Sequence, residues 1–305
     1  MGTDTAGPIV ADRLESADVA RVRRIIADAT VADGVSPLSE QAVAAVDSLA
    51  PAVTHVVSAA GYANIVPGRD GEATMIEAVV DPASRRLGHG KALVTAAFVT
   101  AAELSAPGGP EPRIWAHGDL PGAVALASSL GLMRLRELLQ LRRGLGNGAP
   151  ELPELVVDPS MVVRTYAGDA DDAEILRVNN AAFDWHPEQG GWSPAQIAER
   201  VAAPWFDPAG LFLAFDAADP DRLLGFHWTK THDEDLGEVY IVGVDPAAQG
   251  RGLGRLLTLA GLHHLADSGR REVNLYVEGD NTAALHTYER LGFTRYAVDV
   301  AYGRA

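Results

Sequence analysis

The sequence predicts an α/β protein made of two tandem copies of one domain, each built on a mixed sheet with helices. An internal repeat is the first sign: the segments 78–83 and 242–247 both read as a β-branched strand with an Asp-Pro turn, and a glycine-rich loop follows each. Further along, Leu130-Gly131-Leu132 matches Leu291-Gly292-Phe293 at almost the same separation. The order of elements, strands first and then helices alternating with strands, is typical of a mixed α/β sheet.

A linker separates the two copies. Glycines at 144, 146 and 148 are followed by prolines at 150, 153 and 159, a composition that punctuates folded segments. We therefore expect an N-terminal domain over residues 1–146, a linker over 147–160 and a C-terminal domain over 161–305.

The second copy gives the clearer secondary-structure signals. Ser193 is a good N-cap for a helix that starts with Pro194, and acidic residues open the helix before it. The predicted elements, in order, are a strand at 162–166, helices at 171–183 and 194–203, strands at 211–215, 223–230 and 238–244, a helix at 253–266, a strand at 272–277, a helix at 281–290 and a closing strand at 293–302. The first copy follows the same order with weaker signals.

Composition and charge limit the partners. With 305 residues, 47% hydrophobic and 22% charged, the chain is globular. A net charge of −16 repels phosphate backbones, so we expect no nucleic acid or membrane partner. The absence of cysteine rules out thiolate catalysis and fits a reducing compartment. The first residues do not resemble a secretory signal. We expect a cytoplasmic monomer that acts on a small molecule.

The second glycine-rich loop carries a binding function. Gly250, Gly252 and Gly254 lie between a predicted strand and a predicted helix, so backbone amides can approach a ligand at the positive end of the helix. Such a loop can hold a pyrophosphate without a basic surface, and Arg251 and Arg255 can add charge-assisted hydrogen bonds. Neither glycine loop has the spacing of a Walker A loop or of the dinucleotide-binding fingerprint.

Both loops resemble those of the GCN5-related N-acetyltransferase superfamily. The pattern Gln/Arg-x-x-Gly-x-Gly occurs as Arg85-x-x-Gly88-x-Gly90 and Gln249-x-x-Gly252-x-Gly254, and the second copy also carries Asn281, Ala284 and Tyr288. The resemblance implies a mostly antiparallel sheet flanked by helices, and acetyl-CoA as the acyl donor. In this superfamily a backbone amide on the strand before the loop, here at Val242 or Val244, polarises the thioester carbonyl.

The resemblance assigns two sets of residues to the coenzyme. In the second copy they are Val242, Gly243, Val244, Gln249, Gly250, Arg251, Gly252, Leu253, Gly254, Arg255, Asn281, Thr282, Ala283, Ala284, Leu285 and His286. In the first copy they are Ala78, Val79, Val80, Arg86, Leu87, Gly88, His89, Gly90 and Lys91. No metal is expected, because His186 and His227 have no partner at metal-ligand spacing.

Amide formation needs a base for the amine and an acid for the leaving thiolate. Glu238 is the candidate base and Tyr288 the candidate acid. Each alone could also be an ordinary strand or helix residue. Counting from the shared landmarks, their counterparts in the first copy are Thr74 and Ala127, which can do neither task. We therefore expect chemistry in the second copy alone, with the first copy structural or still able to bind coenzyme A.

Nearly the whole chain resembles the mycothiol synthase family. The likeness is carried by the segments 176–183, 186–192, 225–230, 237–240 and 275–278. It implies N-acetylation, by acetyl-CoA, of the cysteinyl amine of cysteinyl-glucosaminyl-inositol to give mycothiol. It also implies that five residues contact this substrate: Glu40 from the first copy, and Glu188, Lys230, Glu238 and Tyr276 from the second.

Two alternatives stay open at this point. One is an acetyltransferase of the same fold that acts on an aminoglycoside or on a protein N-terminus, because loops rather than the fold decide the substrate. The other is a coenzyme A-binding regulator without turnover. The joint presence of Glu238 and Tyr288 argues against the regulator.

Overall fold

A computed structural model describes residues 7–47, 53–68, 71–146, 148–184 and 189–304. The chain divides into two compact units. Unit 1 comprises Met1–Leu138 together with Val298–Ala305, and unit 2 comprises Leu139–Ala297. Each unit combines a mixed, mostly antiparallel sheet with helices, as the sequence predicts.

Unit 1 begins with short strands and ends with alternating strands and helices. Its strands are β1 (Ile9–Ala11), β2 (Thr54–Ser58), β3 (Gly61–Val66), β4 (Met75–Val80) and β5 (Arg113–Ala116). Its helices are α1 (Ser16–Asp33), α2 (Glu40–Ala45), α3 (His89–Leu104) and α4 (Pro121–Ser129). The strands lie in the order β1-β2-β3-β4-β5, antiparallel except for the parallel pair β4 and β5.

Unit 2 repeats this plan. Its strands are β7 (Met161–Thr165), β8 (Leu211–Asp216), β9 (Asp219–Thr231), β10 (Leu236–Val244) and β11 (Glu272–Glu278), and its helices are α5 (Asp172–Ala182), α6 (Pro194–Val201), α7 (Leu253–Asp267) and α8 (Thr282–Arg290). Strands β7 to β10 are antiparallel neighbours in sequence order, and β11 joins β10 in parallel. These bounds agree with the predicted elements of the second copy to within a few residues.

The core of unit 2 lies on both faces of its sheet. On one face, α7 buries Leu253 and Leu257 against Leu224. On the other, Ile175 of α5 and Trp228 of β9 share a cluster with Ile197 of α6 and Phe226. Full burial of each such side chain stabilises the fold by about 1.5–3 kcal/mol relative to exposure. Packing on both faces thus holds in place the ends of the strands that carry the candidate site.

Two long strands are divided between the units. Strand β6 (Met133–Gly144) starts in unit 1 and ends in unit 2, and β12 (Thr294–Gly303) starts in unit 2 and ends in unit 1. The sequence predicts 293–302 as a strand that closes the second copy. The strand exists, but its last residues, Val300 to Gly303, pair with β5 of unit 1. Burial of Val300 and Tyr302 beside Leu132 explains this placement. The linear boundaries at 146 and 161 stay a prediction about the repeat, since the compact units divide inside β6.

A largely buried charge cluster within unit 1 includes Asp299, near the end of the chain. His117 Nε2 lies 3.1 Å from Glu77 Oε2, and its Nδ1 lies 3.1 Å from Asp299 Oδ2. Glu77 also accepts hydrogen bonds from the backbone N–H and the hydroxyl of Ser39, at 2.6 and 2.8 Å. Burial opposes the charged imidazole, but the bonds and charges of Asp299 and Glu77 outweigh it and raise the pKa of His117 to about 9.

Candidate active site

The parallel strands β10 and β11 separate part-way along their length. Leu236, Gly237 and Glu238 pair with residues 272–274. Both strands are described in full, and they form no further pair after Glu238. β10 nevertheless continues to Val244. One edge of its last residues is therefore left without a strand partner, and this edge includes Val242 and Val244, the residues predicted to offer an amide to the thioester.

The glycine loop opens directly onto the start of α7. Gly252 is the N-cap residue, with φ of 77°, and no side chain caps the helix. The leading amides of α7 are therefore available to a ligand. A Cβ added at Gly254 would have no atom within 4 Å, so the space beside this glycine is open. Uncapped amides beside open space suit the pyrophosphate of acetyl-CoA.

Other residues predicted for the coenzyme contribute differently. Arg251 Nη2 donates to Ser160 Oγ at 3.1 Å, whereas Arg255 is exposed and has no ion pair within the described ranges. The side chain of Leu253 is buried in the core, so this residue can contact a ligand only through its backbone amide. Asn281 Oδ1 accepts a hydrogen bond from Ala284 N at 3.1 Å and so caps α8, whose first turns hold residues 282–286.

Unit 1 has a cleft at the equivalent loop. Its volume is about 670 Å³, and its lining includes Val79, Val80, Arg86, Gly88 and Lys91. Gly88, with φ of 89°, is the N-cap of α3, and again no side chain caps the helix. The remaining residues of the predicted set line this cleft or the exposed loop beside it: Ala78, Leu87, His89 and Gly90.

Glu238 is buried on the face of the sheet that α5 and α6 cover. It stands directly opposite Lys230 of the neighbouring strand β9. Lys230 Nζ lies 5.4 Å from the ring centre of Trp205 and 5.6 Å from that of Tyr240, so aromatic rings flank its charge. The side chains of Glu238 and Lys230 thus extend from neighbouring strands on one face, where β10 and β11 begin to separate.

Strand β11 adds polar groups to the same face. Asn274 pairs in register with Glu238 and is buried, and its Oδ1 has no hydrogen-bond partner in the described structure. Two residues further on, Tyr276 is 48% exposed, and its hydroxyl accepts a hydrogen bond from Gln140 Nε2 at 3.0 Å. Strand alternation puts Asn274 and Tyr276 on the face of Glu238.

The other predicted substrate residues are placed less fully. Glu40 is exposed at the first position of α2, in unit 1. Glu188 lies outside the described residues, as does His186. The assignment of Glu40 and Glu188 to a substrate stays a prediction.

Tyr288, the candidate acid, is half-buried on α8, with its ring 5.7 Å from that of Phe293 in an edge-to-face contact. Burial raises the pKa of its phenol to about 12, so the group keeps its proton at neutral pH. The end of α8 is held by Arg143, whose Nη1 donates to Leu291 O at 2.5 Å and whose Nη2 donates to Pro150 O at 2.7 Å.

Comparison with known proteins decides the family. Residues 177–293 match the acetyltransferase (GNAT) family. A mycothiol acetyltransferase of Gordonia bronchialis is 73% identical over 304 residues, which cover 99% of this chain and 97% of that protein. The chain belongs to the mycothiol acetyltransferase family. A second member, from Nocardia farcinica, is 57% identical over 297 residues, 95% of each chain.

Solved structures agree on the fold of this mycothiol acetyltransferase family member. A GCN5-related N-acetyltransferase from Sphaerobacter thermophilus superposes with a TM-score of 0.74 at 22% identity, covering 97% of this chain and 94% of that one. A tandem GNAT protein from the clavulanic acid biosynthesis pathway gives 0.65 at 20% identity, covering 97% and 96%. The predicted superfamily, the enzyme class of N-acetyltransferase and the use of acetyl-CoA are confirmed.

The two units of this protein differ at the position of the candidate base. A β-bulge leaves Tyr240 of β10 without a partner, and β4 has no such bulge. Lys230 lies opposite Glu238 in unit 2, and the matching pair in unit 1 is Val66 opposite Met75. Counting from the Asp-Pro landmark gave Thr74, and it was wrong by one residue because the bulge inserts one. Methionine and valine offer neither a base nor a charge.

Two residues of this site escaped the sequence analysis. His232 lies 2.6 Å from Glu238, between Nε2 and Oε2, and Asn274 adjoins Glu238 in register. Neither belongs to a motif, and the spacing of six residues from His232 to Glu238 signals a contact only once the hairpin between them is known.

The parts of the chain that the structure describes contain no group of three or more His, Asp or Glu side chains suited to a metal ion. Among the described helices, none is long and apolar enough to cross a membrane.

Proposed function

We propose that this protein acetylates the cysteinyl amine of cysteinyl-glucosaminyl-inositol with acetyl-CoA to give mycothiol. The observation that carries the proposal is the buried Glu238 carboxylate beside Lys230, at the point where β10 and β11 separate. The choice of acceptor is supported by the names of relatives that match nearly the full chain.

In this proposal, polar groups on one face of the unit 2 sheet bind the sugar-inositol acceptor. Lys230 and Tyr276 offer donors and an acceptor for hydroxyl groups, and Glu238 attracts the substrate's ammonium group. Glu188 and Glu40 complete the proposed set. A polyol presents many hydroxyls, so a mixture of carboxylates, an ammonium and a phenol can bind it directionally.

The proposed chemistry is direct transfer. Glu238 takes a proton from the substrate ammonium, and the resulting amine attacks the thioester carbonyl, which a β10 amide at Val242 or Val244 polarises. The carbon–sulfur bond then breaks, and Tyr288 gives its proton to the departing thiolate of coenzyme A. Burial raises the pKa of Tyr288 to about 12, so the phenol still carries its proton when the thiolate forms.

We assign no chemistry to unit 1 in this proposal, although we propose that its cleft also binds coenzyme A. The uncapped start of α3 and the cleft beside it support binding. Met75 and Val66, in place of a base and an ammonium group, argue against turnover there. We further propose a cytoplasmic monomer without nucleic acid or membrane partners, because a net charge of −16 disfavours polyanions.

The test is consumption of acetyl-CoA, followed by chromatography because the acceptor carries a thiol of its own. Cysteinyl-glucosaminyl-inositol is compared with an aminoglycoside and with a peptide that has a free N-terminus. We expect turnover with the first acceptor alone. Glu238→Gln should lower kcat by roughly 100-fold or more, because a neutral amide cannot take the proton, and should leave the affinity for acetyl-CoA unchanged.

Faster turnover of the aminoglycoside or the peptide would replace the proposed acceptor with another amine. Tight binding of acetyl-CoA without turnover of any acceptor would favour a regulator that binds the coenzyme. Full activity of Glu238→Gln would remove Glu238 from the role of base.

A further inference from the structure

His232 bonds to the carboxylate on which the proposed reaction depends. It follows the last residue of β9, and its Nε2 lies 2.6 Å from Glu238 Oε2. The His232 side chain is 27% exposed and that of Glu238 is 9% exposed. The contact thus joins a buried carboxylate to an imidazole that still reaches solvent.

No other described residue holds Glu238. Lys230 on β9 and Asn274 on β11 are its register neighbours, yet neither forms a hydrogen bond to the carboxylate. Within the described chain, His232 is the hydrogen-bond partner of Oε2, and Oε1 has none. The terminal torsion of a glutamate has a broad energy minimum. The orientation of this carboxylate is therefore set by His232.

The turn that carries His232 is itself well braced. His232 N donates to Leu236 O at 3.0 Å, which closes the hairpin. Asp233 Oδ1 accepts from the backbone N–H groups of Asp235 and Leu236, both at 2.8 Å. Arg270 Nη1 donates to the Asp233 carbonyl. The imidazole is thus presented by a turn whose backbone is fixed from both sides.

We propose that His232 is a positioning residue: it donates its Nε2 proton to Glu238 Oε2, so that Oε1 points at the substrate ammonium. This inference rests on the proposed role of Glu238 as base. In the transfer, a substrate N–H bond breaks and an O–H bond forms at Oε1, while His232 keeps its own proton. Removal of the donor would let the carboxylate rotate and misplace the accepting oxygen.

Two substitutions separate this role from simple packing. His232→Leu keeps most of the volume and removes the donor, whereas His232→Gln keeps an N–H group at a similar reach. We expect the Leu variant to lose roughly 100-fold in kcat, the Gln variant to stay within about threefold of the unaltered enzyme, and the KM for acetyl-CoA to change by less than about twofold in both. His264→Gln is the matched control, because His264 lies on α7, away from the substrate face. Its Nε2 is 3.1 Å from Asp207 Oδ2. This variant should leave kcat unchanged.

A double-mutant cycle completes the test. If His232 acts through Glu238, His232→Leu costs activity in the unaltered enzyme and costs nothing more in the Glu238→Gln background. Should His232→Leu fail to fold, His232→Asn takes its place, because its amide is too short to reach.

Three results would each overturn the inference: normal kcat in His232→Leu, equal losses of kcat in His232→Leu and His232→Gln, or additive losses when His232→Leu is combined with Glu238→Gln. The Glu238→Gln single variant separates the two levels of the proposal. Its full activity refutes the base, whereas its inactivity alongside normal His232 variants refutes only the positioning role.

Discussion

Tyr288 is the residue to which the proposed mechanism assigns the proton donor. Burial raises the pKa of its phenol to about 12, and among the described residues its hydroxyl has no hydrogen-bond partner that would compete for its proton. We expect Tyr288→Phe to lower kcat by roughly 100-fold, because the thiolate loses its proton donor. The KM for acetyl-CoA should change little, since the ring and its contact with Phe293 remain. Steady-state kinetics at pH 7 measure both.

Tyr296→Phe is the control for this change, because Tyr296 is 59% exposed and its ring contacts Arg142. It should have normal kinetics. A Tyr288→Phe enzyme that loses kcat and coenzyme affinity to the same degree would point to packing rather than acid catalysis.

At this scale the sequence allowed part of the site to be predicted. Glu238 is predicted as a base from the chemistry of amide formation, and the resemblance predicts Glu238, Lys230 and Tyr276 as substrate contacts. The structure brings these three residues to one face of one sheet. His232 could not be predicted, because its contact depends on the exact turn between two strands. The miscount at Thr74 has a similar cause: a bulge changes register by one residue and leaves no mark in the sequence pattern.

At the scale of elements, the start of α7 should decide coenzyme binding in unit 2. Gly254→Val adds a side chain to open space beside the uncapped helix start, where a Cβ meets no atom within 4 Å. We expect it to weaken acetyl-CoA binding by more than about tenfold, because it blocks the approach of the pyrophosphate to the amides. The thermal unfolding midpoint should stay near that of the unaltered protein. Calorimetric titration with acetyl-CoA gives the affinity.

Asp267→Val is the matched control, since it puts the same side chain at the exposed far end of the same helix. Unchanged acetyl-CoA affinity in Gly254→Val would mean that the pyrophosphate lies elsewhere. The helices of unit 2 were predictable because capping residues such as Ser193 and glycines such as Gly252 mark their ends. In unit 1, α1 and α4 begin without a side-chain cap, as α5 and α7 do in unit 2, and Gly88 marks the start of α3.

For the molecule as a whole, the charge cluster of His117, Glu77 and Asp299 should give stability a distinct pH dependence. The pKa of His117 is raised from 6.5 to about 9 in the folded protein. The stabilisation that protonated His117 gives the folded protein is therefore complete below pH 6.5 and is lost as the pH rises through about 9. The loss is on the order of 3 kcal/mol at most. Denaturant midpoints between pH 6 and 10 should fall across this window.

His117→Gln should be less stable at pH 6 and should lose this slope, because no imidazole remains to titrate. His227 provides an internal contrast: burial lowers its pKa to about 4, so its contribution disappears on the acid side instead. Parallel pH profiles for the unaltered protein and His117→Gln would show that the cluster does not govern the window.

The tandem repeat could be predicted from the sequence, but the partner of the last strand could not. The repeat leaves paired motifs at a nearly constant separation, whereas the partner of a strand depends on contacts far away along the chain. Nothing in the local pattern of residues 294–303 indicates that Val300 pairs with Ala116 of the first copy rather than with a strand of the second copy.

The position of the last strand also affects the order in which the two units fold during translation. Among the described residues, the edge of β5 that faces away from β4 pairs with Val300 to Gly303, and all of unit 2 is translated before these residues emerge. At about 5–20 residues per second, that interval lasts on the order of ten seconds or more. Unit 1 thus waits as a nascent chain with an open sheet edge, and the half that is made first is the half that finishes folding last.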